Sequence, residues 1–430
     1  MTIAKTIAFC TLGCKLNFAE TSSISQEFAA LGFKIVDFKN YADVYVINSC
    51  TVTATANKKS RNAIQRAYHL NPAAVIAVTG CYAQLKADEI KRIHKDIIVV
   101  GNFEKDNISG LVQRKLNNEI SEPLQICHPE RFIPAYSIGN RTRSFLKIQD
   151  GCDYKCSYCT IPLARGKSRN QSIENTAKHA SILIKSNINE LVLTGVNIGD
   201  FGKSTNERFI DLLKRLDSTE GMVRIRIGSI EPDLLSDEII AFMAASKHIM
   251  PHFHIPLQSG SNTMLRLMRR RYTTEIFADR IRTIKKYLPL SFVGCDVIVG
   301  MRGESEKYFE DSYTFIESQD ISFIHVFSYS EREHTDALAI SGPVGFPEIQ
   351  RRSNRLHQLS ALKHKQFYQK NIGQHQHILW ESSKKNMQMF GFTENYIKAE
   401  MPYEACNINT ITHVELIGLS ESGNMKIRTL

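Results

Sequence analysis

Along two separate stretches of this 430-residue chain, short apolar runs alternate with segments of helical period. That alternation admits few architectures beyond parallel α/β, because parallel neighbours need a crossover helix between them. In the first stretch, candidate strands span residues 6–10, 44–48, 75–79 and 97–100, with helical pattern at 58–70 and 87–94. An open, mostly parallel sheet with helices on both faces is expected for a domain of residues 1–120. A polar, proline-containing stretch at 117–142 reads as a linker. The alternation resumes with candidate strands at 145–149, 191–194, 224–228, 253–256, 294–299 and 325–329, and helices at 173–185, 209–216, 274–287 and 307–319. These six βα units predict an incomplete parallel barrel of the TIM type over residues 138–369. A closed eight-unit barrel would need strands that the sequence does not offer. A basic helical segment at about 348–369 (Arg351, Arg352, Arg355, Lys363, Lys365) closes this core. Residues 370–430 change to short alternating runs at 378–380, 396–398, 413–416 and 425–428, which predict a small antiparallel β-domain.

No apolar run approaches the roughly 18 residues of a membrane span. The N-terminus lacks the charged, apolar and small-residue order of a signal peptide. A cytoplasmic protein without membrane attachment is expected. In that compartment 10 cysteines are not a disulfide framework, which turns attention to metal binding or catalysis. Hydrophobic residues at 43% and charged residues at 23% exclude wholesale disorder. Lys plus Arg number 54 against 44 for Asp plus Glu, a net +10 that suits a polyanionic partner such as nucleic acid without identifying one.

Cys152, Cys156 and Cys159 follow the first predicted barrel strand in Cys-x3-Cys-x2-Cys spacing. Three thiolates hold three irons of a four-iron cubane and leave the fourth iron without a protein ligand. An open iron is able to chelate the amino and carboxylate groups of S-adenosylmethionine, whose reductive cleavage yields a 5′-deoxyadenosyl radical. A structural zinc site would need a fourth ligand, and neither His179 nor Asp153 has a zinc-motif spacing. Spacing, strand context and the later βα units together resemble the radical S-adenosylmethionine superfamily. That resemblance implies cofactor contacts from Tyr158 in the cysteine loop, from Thr194, Gly195 and Asn197 after the second strand, and from Ser229 and Glu231 after the third. Gln258 after the fourth strand and Val299 in the fifth complete the set. Position at a strand end is the physical ground for each, since parallel-barrel sites lie there. A turn glycine at Gly195, or a helix cap at Ser229 or Glu231, is the plainer use.

Cys14, Cys50 and Cys81 each follow a strand of the first block, in Thr11-Leu12-Gly13-Cys14, Ile47-Asn48-Ser49-Cys50 and Val78-Thr79-Gly80-Cys81. The C-terminal ends of an open parallel sheet form one rim, where ligands usually bind. A single buried cysteine is more often a small hydrophobe, but three of three at strand ends reverse that ordering. Over nearly its whole length the chain resembles the methylthiotransferase family, whose members join such a domain to a radical core and a C-terminal TRAM domain. Thr11-Leu12-Gly13-Cys14-Lys15-Leu16-Asn17, Asn48-Ser49-Cys50-Thr51-Val52-Thr53, Lys58-Lys59-Ser60-Arg61 and Gly80-Cys81-Tyr82-Ala83-Gln84 are similar to the branch acting on threonylcarbamoyladenosine in tRNA. The branches acting on isopentenyladenosine, or on an aspartate of a ribosomal protein, use different residues around these cysteines.

The resemblance implies two 4Fe–4S clusters, an auxiliary one on Cys14, Cys50 and Cys81 and a radical one on Cys152, Cys156 and Cys159. It implies that one S-adenosylmethionine methylates a cluster-associated sulfur while a second supplies the radical that abstracts hydrogen from C2 of the adenine. An aromatic C–H is too inert for acid–base catalysis, so the cofactors must carry the hard chemistry. The implied partners are tRNA, at position 37 beside the anticodon, and an electron donor such as a flavodoxin or ferredoxin, with the enzyme a monomer. Arg266, Arg269, Arg270 and Arg271 are expected to contact phosphate, and Tyr396 and Lys398 in the TRAM-like domain to stack on and hold RNA; a solvated helix face is the plain use of such an arginine run. Two stretches depart from the family: Gly300-Met301-Arg302-Gly303-Glu304 replaces Gly-Phe-Pro-Gly-Glu, and Tyr329-Ser330-Glu331-Arg332-Glu333-His334-Thr335 lacks a glycine before the threonine. Cys10, Cys127, Cys295 and Cys406 have no assigned role. Other readings are the same chemistry on isopentenyladenosine or on a ribosomal protein, and a non-catalytic iron–sulfur RNA-binding protein.

Overall fold

The computed structural model describes residues 4–119, 131–139 and 142–430; Cys127 and part of the expected linker lie outside them. The first block is the expected open sheet. Strands β1 (Thr6–Thr11), β2 (Lys34–Val36), β3 (Val44–Ser49), β4 (Val75–Gly80) and β5 (Ile98–Val99) run parallel in the order β2-β1-β3-β4-β5. Every residue of β3 is buried, because helices cover both faces. Val44 and Val46 pack with Ile24, Phe28, Leu111 and Val112 on one side; Tyr45 and Ile47 pack with Ala63, Ile64 and Ala67 on the other. The edge strand β2 has only three mostly exposed residues, too short for a sequence pattern to announce it.

The second block is a six-strand partial barrel. β6 (Arg143–Lys147), β9 (Glu190–Thr194) and β10 (Arg224–Ile227) form one parallel sheet; β11 (His252–His254), β12 (Phe292–Val299) and β13 (Phe323–Ser328) form another. Bridges Ile225↔Ile249 and Ser229↔His254 join the two. A small antiparallel pair, β7 (Gln149–Asp150) with β8 (Arg169–Asn170), flanks the cysteine loop and was not expected. Alternate residues such as Leu146, Leu193, Ile227, Phe253, Val297 and Ile324 face outward into one large core against the helices. By the period of two, the residues between them line the lumen, and these include Lys147, Glu190, Arg226, His254, Asp296 and His325. The basic helix extends over Phe346–Lys370, and two of its cations are structural. Arg352 Nη1 donates to Glu304 Oε2 at 2.8 Å, and Lys363 Nζ donates to the carbonyls of Glu317 and Gln319.

The C-terminal block is a closed barrel, β14 (His375–Lys385), β15 (Gln388–Thr393), β16 (Lys398–Pro402), β18 (Met425–Thr429) and β17 (Ile411–Leu419) in that spatial order. It is antiparallel except for closure between β16 and β18, which is parallel at Ala399↔Met425. β15 was not anticipated. The expected strand at 396–398 begins only at Lys398, since Tyr396 sits in a left-handed turn at φ +68°. Among the described residues no helix is long and apolar enough to cross a membrane.

That turn carries Tyr396 onto the floor of the central barrel. Arg226 lies over its ring at 4.7 Å, and Arg143 Nη1 donates to its Oη at 3.4 Å. Held this way, the ring packs against the barrel floor, with Phe392 stacked on it at 4.7 Å. Arg226 also grips Glu190 with two bonds of 2.9 Å. Burial alone would raise the Glu190 carboxyl, but Arg226, Arg143 and Arg224 hold it down at about 2. A carboxylate depressed in the fold relative to about 4.3 in the unfolded chain contributes fully above that value and loses its contribution as pH falls towards 2. Denaturant unfolding between pH 5 and pH 2 should therefore show an acid loss that is smaller in Glu190→Gln by on the order of 3 kcal/mol. Identical slopes in the two proteins would refute this role.

Candidate functional site

The first cysteine rim is built from three strand ends. Cys14 follows β1, Cys50 follows β3 directly, and Cys81 opens the helix Cys81–Leu85 after β4. Two glycines let the loops close. A Cβ on Gly13 would lie 2.9 Å from Cys50 Cβ, and one on Gly80 would lie 2.2 Å from the Ser49 carbonyl oxygen; both residues have φ near +96°. Asn17 ties two of the loops together, its Nδ2 donating to the carbonyls of Leu12 and Ser49. Asn102 Nδ2 approaches Cys81 Sγ at 3.7 Å and donates to the Ala164 carbonyl across the domain boundary at 2.8 Å. Burial pushes the Cys50 thiol up to about 11; the neighbouring Cys81 and Cys14 add to the rise and Arg165 opposes it. The three sulfurs are thus within electrostatic reach of one another.

The second triplet lies on the loop between β7 and the helix Ile161–Arg165. Cys152 Sγ accepts from the Tyr154 N–H and Cys159 Sγ from the Ile161 N–H, each at 3.4 Å, and Cys156 Sγ accepts from Arg270 Nη1 at 3.0 Å. Burial pushes Cys152 and Cys159 up to about 12. Thiols placed so become thiolates only beside a strong cation, which is what a bound metal cluster supplies. Four ligands on one zinc ion would sit only about 3.8 Å apart, given Zn–S bonds of about 2.3 Å and tetrahedral angles. Among the described residues, one set of three His, Cys, Asp or Glu ligand atoms lies within 4.8 Å of one another, and it is His254, Asp296 and His325, not either cysteine triplet. Neither cysteine triplet has its three sulfurs within that spacing of one another in this arrangement.

Around the second triplet the expected cofactor contacts fall at strand ends. Gln149 Oε1 accepts from the N–H groups of Val196 and Asn197, shaping the Thr194–Gly195 turn, and the Asn197 Oδ1 atom is buried without a partner. Gln258 adopts φ +66° and bonds through its backbone to Asp296 and Ile298. Ser229 Oγ is hydrogen-bonded to His254 Nδ1 at 3.0 Å. Tyr158 packs beside Met264, Met268 and Met301, so the Met301 departure is a core residue here. Val299 faces the outer core; its side chain does not line the lumen, and only its backbone is available for cofactor contact.

The arginine run does not form one patch. The Arg270 side chain is buried, ion-paired with Glu231 and bonded to Cys156. Arg269 pairs with Asp336, and Arg271 lies 4.0 Å over the Tyr154 ring while donating to the Asp153 carbonyl. Arg266 is exposed, and Lys398 is half-buried with its Nζ 4.2 Å over Phe390. Only Arg266 lies in the helix Asn262–Leu267; the chain leaves it through a left-handed Arg269 at φ +55°, which sends the next three arginines in different directions and which a count of charges does not reveal.

Residues that flank one cysteine of each triplet line one cleft. A cavity of about 260 Å³ is lined by Thr51, Arg61, Lys86, Thr160, Arg332 and His334, among others. Thr51 adjoins Cys50 and Thr160 adjoins Cys159. The departing segment 329–335 spans the boundary there. Ser330 Oγ accepts from the Ala54 N–H, Glu333 pairs with Lys86, and Arg332 Nη1 donates to the Thr51 carbonyl at 3.5 Å. Beneath the cleft Arg165 joins the domains. It donates to Asn17 Oδ1 at 2.7 Å, Glu20 Oε1 at 3.0 Å and Asp150 Oδ1 at 2.9 Å. Sequence reasoning missed Arg165, Glu20 and Asn102, since a buried charge network leaves no period and no spacing in the sequence.

Residues 6–101 match the family described as Uncharacterized protein family UPF0004, and residues 146–316 match the Radical SAM superfamily. Threonylcarbamoyladenosine tRNA methylthiotransferase MtaB of Bacillus subtilis is 41% identical over 424 residues, covering 96% of this chain and 94% of its own. The protein of the same name from Aquifex aeolicus is 35% identical, covering 91% of this chain and 95% of its own. A tRNA-2-methylthio-N(6)-dimethylallyladenosine synthase of Clostridium botulinum is 30% identical, with 87% and 86% covered. Among solved structures, the radical S-adenosylmethionine methyltransferase TsrM of Kitasatospora setae shares the fold, with a TM-score of 0.55 at 12% identity over 76% of this chain and 75% of its own. The chain belongs to the methylthiotransferase family of radical S-adenosylmethionine enzymes, transferases that work with 4Fe–4S clusters and S-adenosylmethionine.

Proposed function

We propose that this enzyme attaches a methylthio group to C2 of N6-threonylcarbamoyladenosine at position 37 of tRNA. The observation that carries the reading is the shared cleft at the domain boundary, lined by Thr51 beside Cys50 and by Thr160 beside Cys159. The Bacillus subtilis and Aquifex aeolicus relatives, named for threonylcarbamoyladenosine, are 41% and 35% identical, against 30% for the dimethylallyladenosine synthase. In this reading Cys14, Cys50 and Cys81 hold an auxiliary cluster, and Cys152, Cys156 and Cys159 hold the radical cluster. Bound there, the clusters and two molecules of S-adenosylmethionine supply the sulfur, the methyl group and the 5′-deoxyadenosyl radical.

The chain's own residues orient and enclose. Arg270 fixes Cys156 and Glu231 together, and Gln149 sets the Thr194–Asn197 turn toward the cofactor. Asn102 and Arg165 hold the two rims at a constant separation. The functional units are residues 1–120, 138–369 and 370–430, acting as a cytoplasmic monomer supplied with electrons by a flavodoxin or ferredoxin. Arg266 and Lys398, with the +10 charge, supply phosphate contacts to the anticodon arm. Mass analysis of tRNA nucleosides from a deletion strain tests the substrate. The 2-methylthio derivative of threonylcarbamoyladenosine should disappear and its unmethylthiolated precursor accumulate. An unchanged nucleoside profile would reject the assignment.

A further inference from the structure

Four consecutive residues of the departing segment, Glu331, Arg332, Glu333 and His334, line the cleft at the domain boundary. The other full charges of the cleft are paired. Arg61 bonds Glu89 at 2.8 Å, Lys86 bonds Glu333, and Glu331 bonds Arg302 at 2.7 Å. Arg332 is the exception: it has no carboxylate partner among the described residues. Its guanidinium offers five N–H donors. Nη2 donates to Ser330 Oγ at 2.7 Å, Nη1 reaches the Thr51 carbonyl only at 3.5 Å, and Nε is buried with no partner. A half-buried cation without a counter-charge is costly, and an anion entering the cleft offsets that cost.

Two further features favour an anion at this place. Ser330 Oγ also accepts from the N–H of Ala54, the first residue of the 17-residue helix Ala54–Leu70. The positive end of that helix and the guanidinium thus meet at one hydroxyl, and their fields add in the cleft. The arginine is also held in advance of binding. Thr335 Oγ1 donates to the Arg332 carbonyl at 2.6 Å, across a turn in which His334 takes φ +62°. A donor fixed beforehand loses little freedom when its ligand arrives. We infer that Arg332 is the oxyanion receptor for the target nucleotide of the tRNA. A cavity of about 260 Å³ admits one functional group of a nucleotide and not a length of RNA. The target nucleotide has two kinds of oxyanion, the carboxylate of its threonylcarbamoyl group and its backbone phosphate, and a guanidinium suits both. The carboxylate source rests on the substrate reading above; the phosphate source is common to any tRNA.

The test measures dissociation constants of the holoenzyme, without reductant, for three anticodon stem-loop RNAs. One carries threonylcarbamoyladenosine at the target position and one its uncharged threoninamide analogue. The third keeps the natural nucleoside but has methylphosphonate linkages on both sides of it. The unaltered enzyme should bind the first about tenfold or more tightly than at least one of the neutralised RNAs, as a charge-assisted contact implies. Arg332→Gln, with its iron intact, should abolish one of these penalties, and the penalty that vanishes names the oxyanion. Arg332→Lys keeps the charge without the planar fork and should fall between. An Arg332→Gln enzyme that keeps every penalty, whether it weakens all three RNAs alike or none, overturns the receptor and leaves the arginine a residue of the domain boundary. So does an unaltered enzyme that binds all three RNAs equally well, a result that needs no variant to fold. Tighter binding of an isopentenyladenosine stem-loop than of the threonylcarbamoyladenosine one would instead overturn the substrate reading, and the methylphosphonate arm would then decide the receptor alone.

Discussion

Replacing Cys152, Cys156 and Cys159 together with alanine is expected to lower the iron bound per chain from about eight atoms to about four, and replacing Cys14, Cys50 and Cys81 is expected to do the same. The two losses should be independent, because each triplet is shaped by its own loops. Gly13, Gly80 and Asn17 close the first, while β7, β8 and Arg270 close the second. The variants should differ in chemistry. Loss of the barrel triplet should abolish reductive cleavage of S-adenosylmethionine, whereas loss of the sheet triplet should leave cleavage in place and remove methylthiolation. Cys295 makes a control: it is fully buried on the outer face of β12, so Cys295→Ala should keep all the iron. Anaerobic reconstitution followed by iron analysis decides the matter. An unaltered chain that binds only four irons would end the two-cluster model.

The cysteines were legible because their chemistry forces a sequence pattern. A loop that is to wrap one cluster must bring its thiols within a few residues, and Cys152, Cys156 and Cys159 have that spacing. Cys14, Cys50 and Cys81 are far apart in sequence, yet the sheet order β1-β3-β4 makes their strand ends neighbours, and the βα period was enough to foresee that. What the sequence did not disclose depends on side-chain direction. Arg270 and Arg271 are adjacent, but one points into the site at Cys156 and the other lies over Tyr154. Tyr396 reads as a strand aromatic, and a left-handed turn puts it beneath another domain.

Domain docking itself depends on a buried charge network, and Arg165→Ala should destabilise the protein by about 3–5 kcal/mol in denaturant unfolding. Arg165 is 1% exposed, Glu20 4% and Asp150 1%, so solvent cannot replace a lost partner. Glu20 shows how strongly the network acts. Burial alone would raise its carboxyl, but Arg165, Lys105 and Lys147 hold it well below the ordinary value. Four cations, Lys105, Lys147, Arg165 and Arg169, surround the two carboxylates of Glu20 and Asp150. The excess positive charge lies beside the first cysteine rim: Arg165 opposes the burial-driven rise of Cys14 and Cys50. Removing Arg165 should therefore also weaken retention of iron on Cys14, Cys50 and Cys81, while the barrel triplet keeps its own. Arg165→Lys preserves the charge without the fork that bonds Asn17, Glu20 and Asp150 at once, so it should fall between the two. An alanine variant within 1 kcal/mol of the unaltered protein, with all its iron, would show that the domains are held together elsewhere.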